Sequence, residues 1–195
     1  MKWLRKLYDW VLGWAETPYA VPALFLLAFS ESSFFPVPPD VLLIALAISI
    51  PRKSFYYAFI CSVGSILGGI LGYLIGYKFM EVVGNHIIQW YGFTQQWEYV
   101  GSLYNRYAGW AVGIAGFTPI PYKVFTIAGG AFRIDFATFL IASSLSRSAR
   151  FFLVGALIYY FGPTVKGFID KYFDILAIAF VVLLVAGFFV IKYVV

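Results

Sequence analysis

The sequence contains few of the residues on which metal binding and catalysis usually depend. Among its 195 residues there is one cysteine, Cys61, and one histidine, His86. A single cysteine excludes an internal disulfide and a cysteine-based metal site. A single histidine excludes a two-histidine metal motif and leaves little room for Ser-His catalysis. Because the aspartates are also scattered along the chain, we expect no metal, no cofactor and no enzymatic activity.

Charged residues are scarce as well, at 12% of the chain, whereas 62% of the residues are hydrophobic and 22% are aromatic. Soluble domains average about 45–50% apolar and about 25% charged residues. The composition therefore predicts an all-α integral membrane protein with little mass outside the bilayer. The net charge of +5 is not gathered into a basic face. This argues against a nucleic-acid partner and agrees with contact to membrane lipids.

A proline motif occurs twice in the chain. Residues 34–40 and residues 117–123 each interrupt an apolar run with a Pro-x-Pro sequence, and one offset of 83 residues aligns Asp40 with Lys123. Each proline removes an amide donor and clashes with the preceding turn. Lipid does not tolerate broken backbone unless protein or water satisfies it. We therefore predict two re-entrant helical hairpins, with breaks at Pro36, Pro38, Pro39, Pro119 and Pro121 and a loosened exit at Gly129 and Gly130.

The order of apolar and polar segments predicts a single membrane domain built on this repeat. One complete span between the motifs would bring the hairpins in from opposite faces, as an inverted repeat. Glycines at every fourth position of that span form a ridge that packs closely and permits a homodimer without requiring one. The predicted parts are an amphipathic interfacial helix at 1–16, a first repeat at 19–80, a surface linker at 81–107, a second repeat at 108–161 and a C-terminal span at 174–193, with about three transmembrane helices in all.

Five charged residues fall at predicted membrane depth: Glu31, Asp40, Lys123, Arg147 and Arg150. Each charge costs at least about 2.5–3.5 kcal/mol at mid-bilayer, so such residues usually line a cavity and pair there. The repeat places Asp40 and Lys123 at equivalent ends of facing hairpins, where we expect them to lie near one another. The two arginines lie three residues apart on one helical face. They would either clamp a phosphate or neutralise the two acids as structural ion pairs.

Four segments together resemble the DedA family, also called VTT-domain or SNARE-associated Golgi proteins. They are Glu31–Asp40, Arg106–Gly109, Gly116–Lys123 and Ala128–Gly130. The resemblance covers roughly residues 20–165. It implies two facing re-entrant hairpins and lipid transport between leaflets, which in bacterial members concerns undecaprenyl phosphate or phospholipid and involves the proton motive force. It also implies a location in the prokaryotic inner (plasma) membrane.

The resemblance assigns roles to particular residues. It implies that Glu31 and Asp40 are the functional acids that couple protons or substrate to transport. The family carries paired arginines around its second motif. Here Thr118 stands at the first arginine's offset, and Lys123 is the only base in the motif. Arg147 or Arg150 would then supply the missing cation for a lipid phosphate.

These observations predict a flippase that moves a phosphate-bearing lipid, with membrane lipids and protons as its partners. Two alternatives stay open within transport, a proton-coupled small-ion or drug transporter and an energy-independent lipid scramblase. A structural or assembly protein is a further alternative, although buried charges are a costly way to build a passive scaffold.

Overall fold

The computed structural model describes residue 17 and residues 19–35, 37–118 and 120–162. The predicted interfacial helix at 1–16, the predicted span at 174–193, and the breaks at Pro36 and Pro119 lie outside these residues. Throughout the described part the chain is helical, with no strand. The helices are α1 (Ala20–Ser33), α2 (Asp40–Ser49), α3 (Ser54–Phe79), α4 (Asn85–Tyr91), α5 (Thr94–Arg106), α6 (Ala108–Phe117), α7 (Tyr122–Ala131) and α8 (Phe136–Gly162).

Two helical stretches are long and apolar enough to cross a membrane. One is the continuous helix Pro51–Tyr91, of 41 residues, and the other is α8, of 27 residues. A span needs about 20 residues, whereas α1 has 14 residues and α2, α6 and α7 have ten each. The described part of the chain thus combines two long helices with two pairs of short ones and the separate helix α5. Each short pair is joined through a proline motif.

The first long helix differs from its predicted extent. The sequence predicts a span that ends at residue 80 and a surface linker that begins at 81, but the helix continues to Tyr91. It does so through a π-helical segment, Met80–Gly84, that leads directly into α4. The helix ends at Gly92, whose φ of 71° is a left-handed conformation that glycine adopts without strain.

The glycine ridge of α3 explains why the short helices pack around this one. Added Cβ atoms at Gly64 and Gly68 would overlap the carbonyl oxygens of Phe25 and Phe29 in α1. Farther along, Cβ atoms at Gly72 and Gly76 would overlap Thr126 and the carbonyl oxygen of Ile127 in α7. Only the absence of side chains lets both backbones approach so closely. One helix therefore holds a short helix from each repeat.

Two hydrophobic clusters flank α3. The first lies among α1, α2 and α3 and includes Leu24, Leu43, Leu46 and, from α8, Phe151. The second lies between the far part of α3 and the second repeat, and contains Tyr73, Val112, Ala115, Tyr122, Ile134 and Phe139. Because α8 contributes to both clusters, it joins the two repeats. The polar groups described next lie on the helices between these clusters.

Candidate functional site

Arg147 is the most deeply buried charge in the described part of the chain, with 2% of its surface exposed. Its Nη2 donates to Oε2 of Glu31 at 2.8 Å, and its Nε donates to the hydroxyl of Ser65. Ser32 completes the cluster, since its hydroxyl lies 3.1 Å from the Glu31 carboxylate and 2.7 Å from the Ser65 hydroxyl. The cluster joins α1, α3 and α8. A buried charge is tolerated only when paired and hydrogen-bonded, and here both conditions hold.

Aromatic rings enclose the same guanidinium. The Cζ atom of Arg147 lies 4.8 Å from the ring centroid of Tyr122 and 4.7 Å from that of Phe151. Such cation–π contacts gain strength where water is excluded. The Tyr122 hydroxyl donates to Ser143 at 2.6 Å, so the ring is held in place from α8. Arg147 therefore has little freedom to move in this conformation.

Arg150 lies one turn farther along α8 and connects the two proline motifs. Its Nε and Nη2 donate to the two carboxylate oxygens of Asp40, at 3.2 and 2.9 Å. Its Nη1 donates to the backbone carbonyl of Thr118 at 2.7 Å. This two-pronged geometry suits arginine, whose donors form a planar fork. The first motif supplies the carboxylate and the second supplies the carbonyl, and both groups are only partly buried.

Lys123 differs from the other four charges. It is half-buried near the start of α7, and within the described residues its side chain makes no ion pair or hydrogen bond. The N-terminal end of a helix carries partial positive charge. A lysine in the first turn therefore faces an unfavourable local field, and an anion would relieve it.

The structure arranges the predicted site residues in two ion pairs. Glu31 pairs with Arg147, and Asp40 pairs with Arg150. The expected proximity of Asp40 and Lys123 does not take the form of an ion pair, because Arg150 occupies the Asp40 carboxylate. Pairing of the acids with the arginines is one of the two interpretations of the sequence; binding of a phosphate by both arginines is the other.

The remaining predicted residues form the two breaks and the end of α7. Pro38 and Pro121 are exposed, whereas Pro39 is buried. Gly129 and Gly130 lie inside α7 rather than beyond it. A Cβ at Gly130 would overlap the carbonyl oxygen of Tyr73, so this glycine permits close contact between α7 and α3.

Several polar residues of the site are not predicted by the sequence reasoning. Thr126 donates to the Ser32 carbonyl at 3.1 Å and to the Lys123 carbonyl at 2.9 Å, which ties α7 to the end of α1. Ser65, which bonds to Ser32 and Arg147, has no sequence signal either. The others missed are Ser32, Tyr122 and Ser143.

The described residues contain no group of three or more His, Cys, Asp or Glu side chains that could hold a metal ion. The chemistry available here is ion pairing and hydrogen bonding among carboxylates, guanidinium groups, hydroxyls and the Lys123 amine, which has no partner within the part of the chain that the structure describes. Long apolar helices, short helices broken at prolines, and acid–arginine pairs between them characterise the described part of the chain as that of an all-helical membrane protein.

Comparison with known proteins makes this assignment specific. The VTT domain matches residues 37–160, and the chain belongs to the VTT-domain (DedA) family. An uncharacterized protein of Haemophilus influenzae is 37% identical over 192 residues, covering 98% of this chain and 100% of that protein. An uncharacterized protein of Histophilus somni is 35% identical over the same lengths. One from Methanocaldococcus jannaschii is 30% identical over 134 residues, 68% of this chain and 79% of its own. No solved structure matches the chain.

Proposed function

We propose that this protein is a lipid transporter that moves a phosphate-bearing lipid, undecaprenyl phosphate or a phospholipid, between the leaflets of a prokaryotic inner membrane. The observation that carries the proposal is the junction of the two proline motifs by Arg150, in a second motif whose Lys123 side chain has no partner among the described residues. Family membership supports a transporter-like role in a membrane.

The lengths of the short helices support re-entry. The pairs α1–α2 and α6–α7 are each too short, helix by helix, to cross the bilayer. In our proposal each pair enters the membrane, turns at its prolines and leaves by the same side. Interrupted helices of this kind form the binding sites of many transporters, near the bilayer midplane. The broken backbone at Thr118 then lies where protein rather than lipid satisfies it.

The proposed phosphate site combines Lys123 with the start of α7. Unpaired amide groups and the helix dipole favour an anion at a helix N-terminus, and Lys123 adds a full positive charge. Arg150 is close to this motif through the Thr118 carbonyl. A phosphate that competes with Asp40 for Arg150 would gain a second cation. A lysine acts as a point charge and an arginine as a fork, so the two would make different contacts with phosphate.

Protonation could shift the protein between two conformations, one with the site open to each side of the membrane. When Asp40 or Glu31 takes up a proton, its arginine loses an ionic partner and becomes available to an anionic substrate. A proton can shift the equilibrium only through such a difference between states. In this mechanism the buried pairs hold the empty carrier together, and the substrate replaces one acid at a time. No enzymatic step, metal or cofactor is involved.

Reconstituted transport tests the proposal. In proteoliposomes with a fluorescent phosphate lipid, wild-type protein should move the label to the inner leaflet. Asp40→Asn and Lys123→Ala should each reduce the rate at least tenfold while eluting as folded protein. Lys78→Ala is the matched control, since Lys78 is exposed and contacts Glu81 and the ring of Tyr77, away from the proposed site, and it should transport normally. Wild-type rates in both Asp40→Asn and Lys123→Ala would refute the mechanism.

The alternatives predict different results in the same vesicles. A proton-driven flippase should respond to an imposed pH gradient, whereas an energy-independent scramblase should move lipid equally in both directions without one. A proton-coupled ion or drug transporter should change the internal pH when its solute is added, with no movement of labelled lipid.

A further inference from the structure

An apolar cavity lies between α6 and α8. It has a volume of about 750 Å³. Its walls are almost entirely apolar, and they include Trp110, Ile114, Ile141 and Leu145, all of which are largely exposed. We call this cavity the α6–α8 groove. Neither the ion pairs nor Lys123 uses it.

The two helices that line the groove approach each other closely near both of its ends. At one end a Cβ on Gly116 would overlap the hydroxyl of Ser146, and at the other a Cβ on Gly109 would lie 3.4 Å from the Thr138 methyl group. Between them, a Cβ on Gly113 would meet nothing within 4 Å. The two helices therefore touch, separate and touch again. At a rise of 1.5 Å per residue the open part is about 10 Å long.

One end of the groove adjoins the charged site. Thr118 lines the groove, and its carbonyl oxygen accepts a hydrogen bond from Arg150. Ser146 and Ala149 also line it, next to Arg147 and Arg150 in the chain. An apolar groove whose lining residue Thr118 is bonded to a guanidinium group matches an amphiphile with one hydrocarbon chain and an anionic head.

We infer that the α6–α8 groove holds the hydrocarbon chain of the transported lipid while the phosphate lies at Arg150 and Lys123. This inference rests on the proposed function and adds that the tail, as well as the head, is recognised by the protein. A flexible chain can thread between two helices that touch at both ends.

Filling the groove at its widest point tests the inference. Gly113→Phe places a ring where the Cβ has open space, so the fold should tolerate it. Transport of a long-chain lipid phosphate should fall at least tenfold. Leu153→Phe is the matched control, because Leu153 is exposed on α8 outside the groove, and it should transport at the wild-type rate.

The outcomes separate the two proposals. Equal transport by wild type and Gly113→Phe would overturn the groove while leaving lipid transport intact. Absence of transport by wild type in the same vesicles would overturn the proposed function, and the inference would fall with it.

Photo-cross-linking identifies the occupant without relying on a transport rate. A benzophenone amino acid at Leu145, introduced into otherwise wild-type protein, should label the phosphate lipid in phosphatidylcholine vesicles more strongly than the same probe at Leu153. The Gly113→Phe substitution should remove that excess. Labelling of residues 163–195, of a second copy, or of bulk phosphatidylcholine in equal proportion at both positions would contradict the inference.

Discussion

The two proline motifs place opposite charges at equivalent positions on similar helices. Asp40 begins α2 and Lys123 lies in the first turn of α7, 83 residues later. A carboxylate is stabilised at a helix N-terminus and an ammonium group is not. Asp40 also has an internal partner in Arg150, whereas the side chain of Lys123 has none among the described residues. The comparison teaches that the charge of the first motif is neutralised by an ion pair, whereas the charge of the second motif could be neutralised by a bound anion.

The arginines complete this asymmetry. Under the same offset, Arg147 aligns with Gly64 and Arg150 aligns with Leu67. The first long helix thus carries a glycine ridge where the second carries cations. The acids belong to the first repeat and their partners to the second, so each ion pair is also a bond between repeats.

The largest expected effect comes from breaking the deeper of these bonds. Arg147→Gln leaves the Glu31 carboxylate without its ionic partner and should lower the free energy of unfolding by about 3 kcal/mol or more. Thermal or denaturant unfolding in detergent measures this loss. Glu31→Gln combined with Arg147→Gln should recover part of it, since neither charge then remains alone. A double variant that is less stable than Arg147→Gln would contradict a direct pair.

A second test compares the contacts that α3 makes with the two repeats. Gly68→Ala against α1 and Gly76→Ala against α7 should each destabilise the protein by about 1–3 kcal/mol, because the new methyl group overlaps a backbone carbonyl. Gly113→Ala is the control. It has open space and should gain about 0.5–1 kcal/mol from better helix propensity. If all three variants changed stability equally, the ridge would not be a close helix contact.

The third test reverses the usual relation between stability and function. Lys123→Gln removes a cation from an unfavourable position and should raise the free energy of unfolding by about 0.3–1 kcal/mol. The same variant should transport poorly. Unfolding measured without lipid phosphate checks the first expectation. A clear loss of stability would mean that the Lys123 ammonium group has a favourable partner in the folded protein.

The smallest effect concerns the starts of the two spans, where Arg52 aligns with Asp135. Asp135 accepts the backbone N–H of Thr138 at 2.7 Å, and the hydrogen bonds from Thr138 hold the pKa of this carboxyl below its ordinary value. The ionised Asp135 should therefore add its full contribution to the free energy of unfolding above the unfolded pKa of about 3.9. This contribution should disappear as the pH falls through the lowered folded pKa. The melting temperature of Asp135→Ala should be slightly below that of wild type at pH 7, and the gap should narrow in acid. A gap independent of pH would exclude the carboxylate as its source.

Local rules predicted much of this architecture. Proline chemistry located both motifs, glycine spacing located the close helix contacts, and the scarcity of charge selected the five residues of the site. The partners of those residues could not be read in the same way. Symmetry suggested Asp40 with Lys123, but the arginine fork binds a carboxylate at two points, and α8 brings Arg150 to Asp40.

Other features depend on contacts that have no local signature. Serine is common in apolar helices, so nothing in the sequence distinguishes Ser32 and Ser65 from serines that bond only to their own helix. The continuation of the first long helix to Tyr91 was missed because residues 81–91 are more polar than the span before them. Helix propensity is nevertheless adequate there.

The π-helical segment Met80–Gly84 has a consequence for that continuation. In an α-helix every fourth residue advances about 40° around the axis, so a row of this spacing gradually winds away from its partner. A π-helical turn is wider, because it is closed by i→i+5 bonds, and it rotates the row backwards. Met80 and Gly84 continue the four-residue spacing of the glycines and are both buried. Deleting one residue here would restore α-helical geometry. The end of the helix, with Trp90 and Tyr91, would then face a different direction around the helix axis.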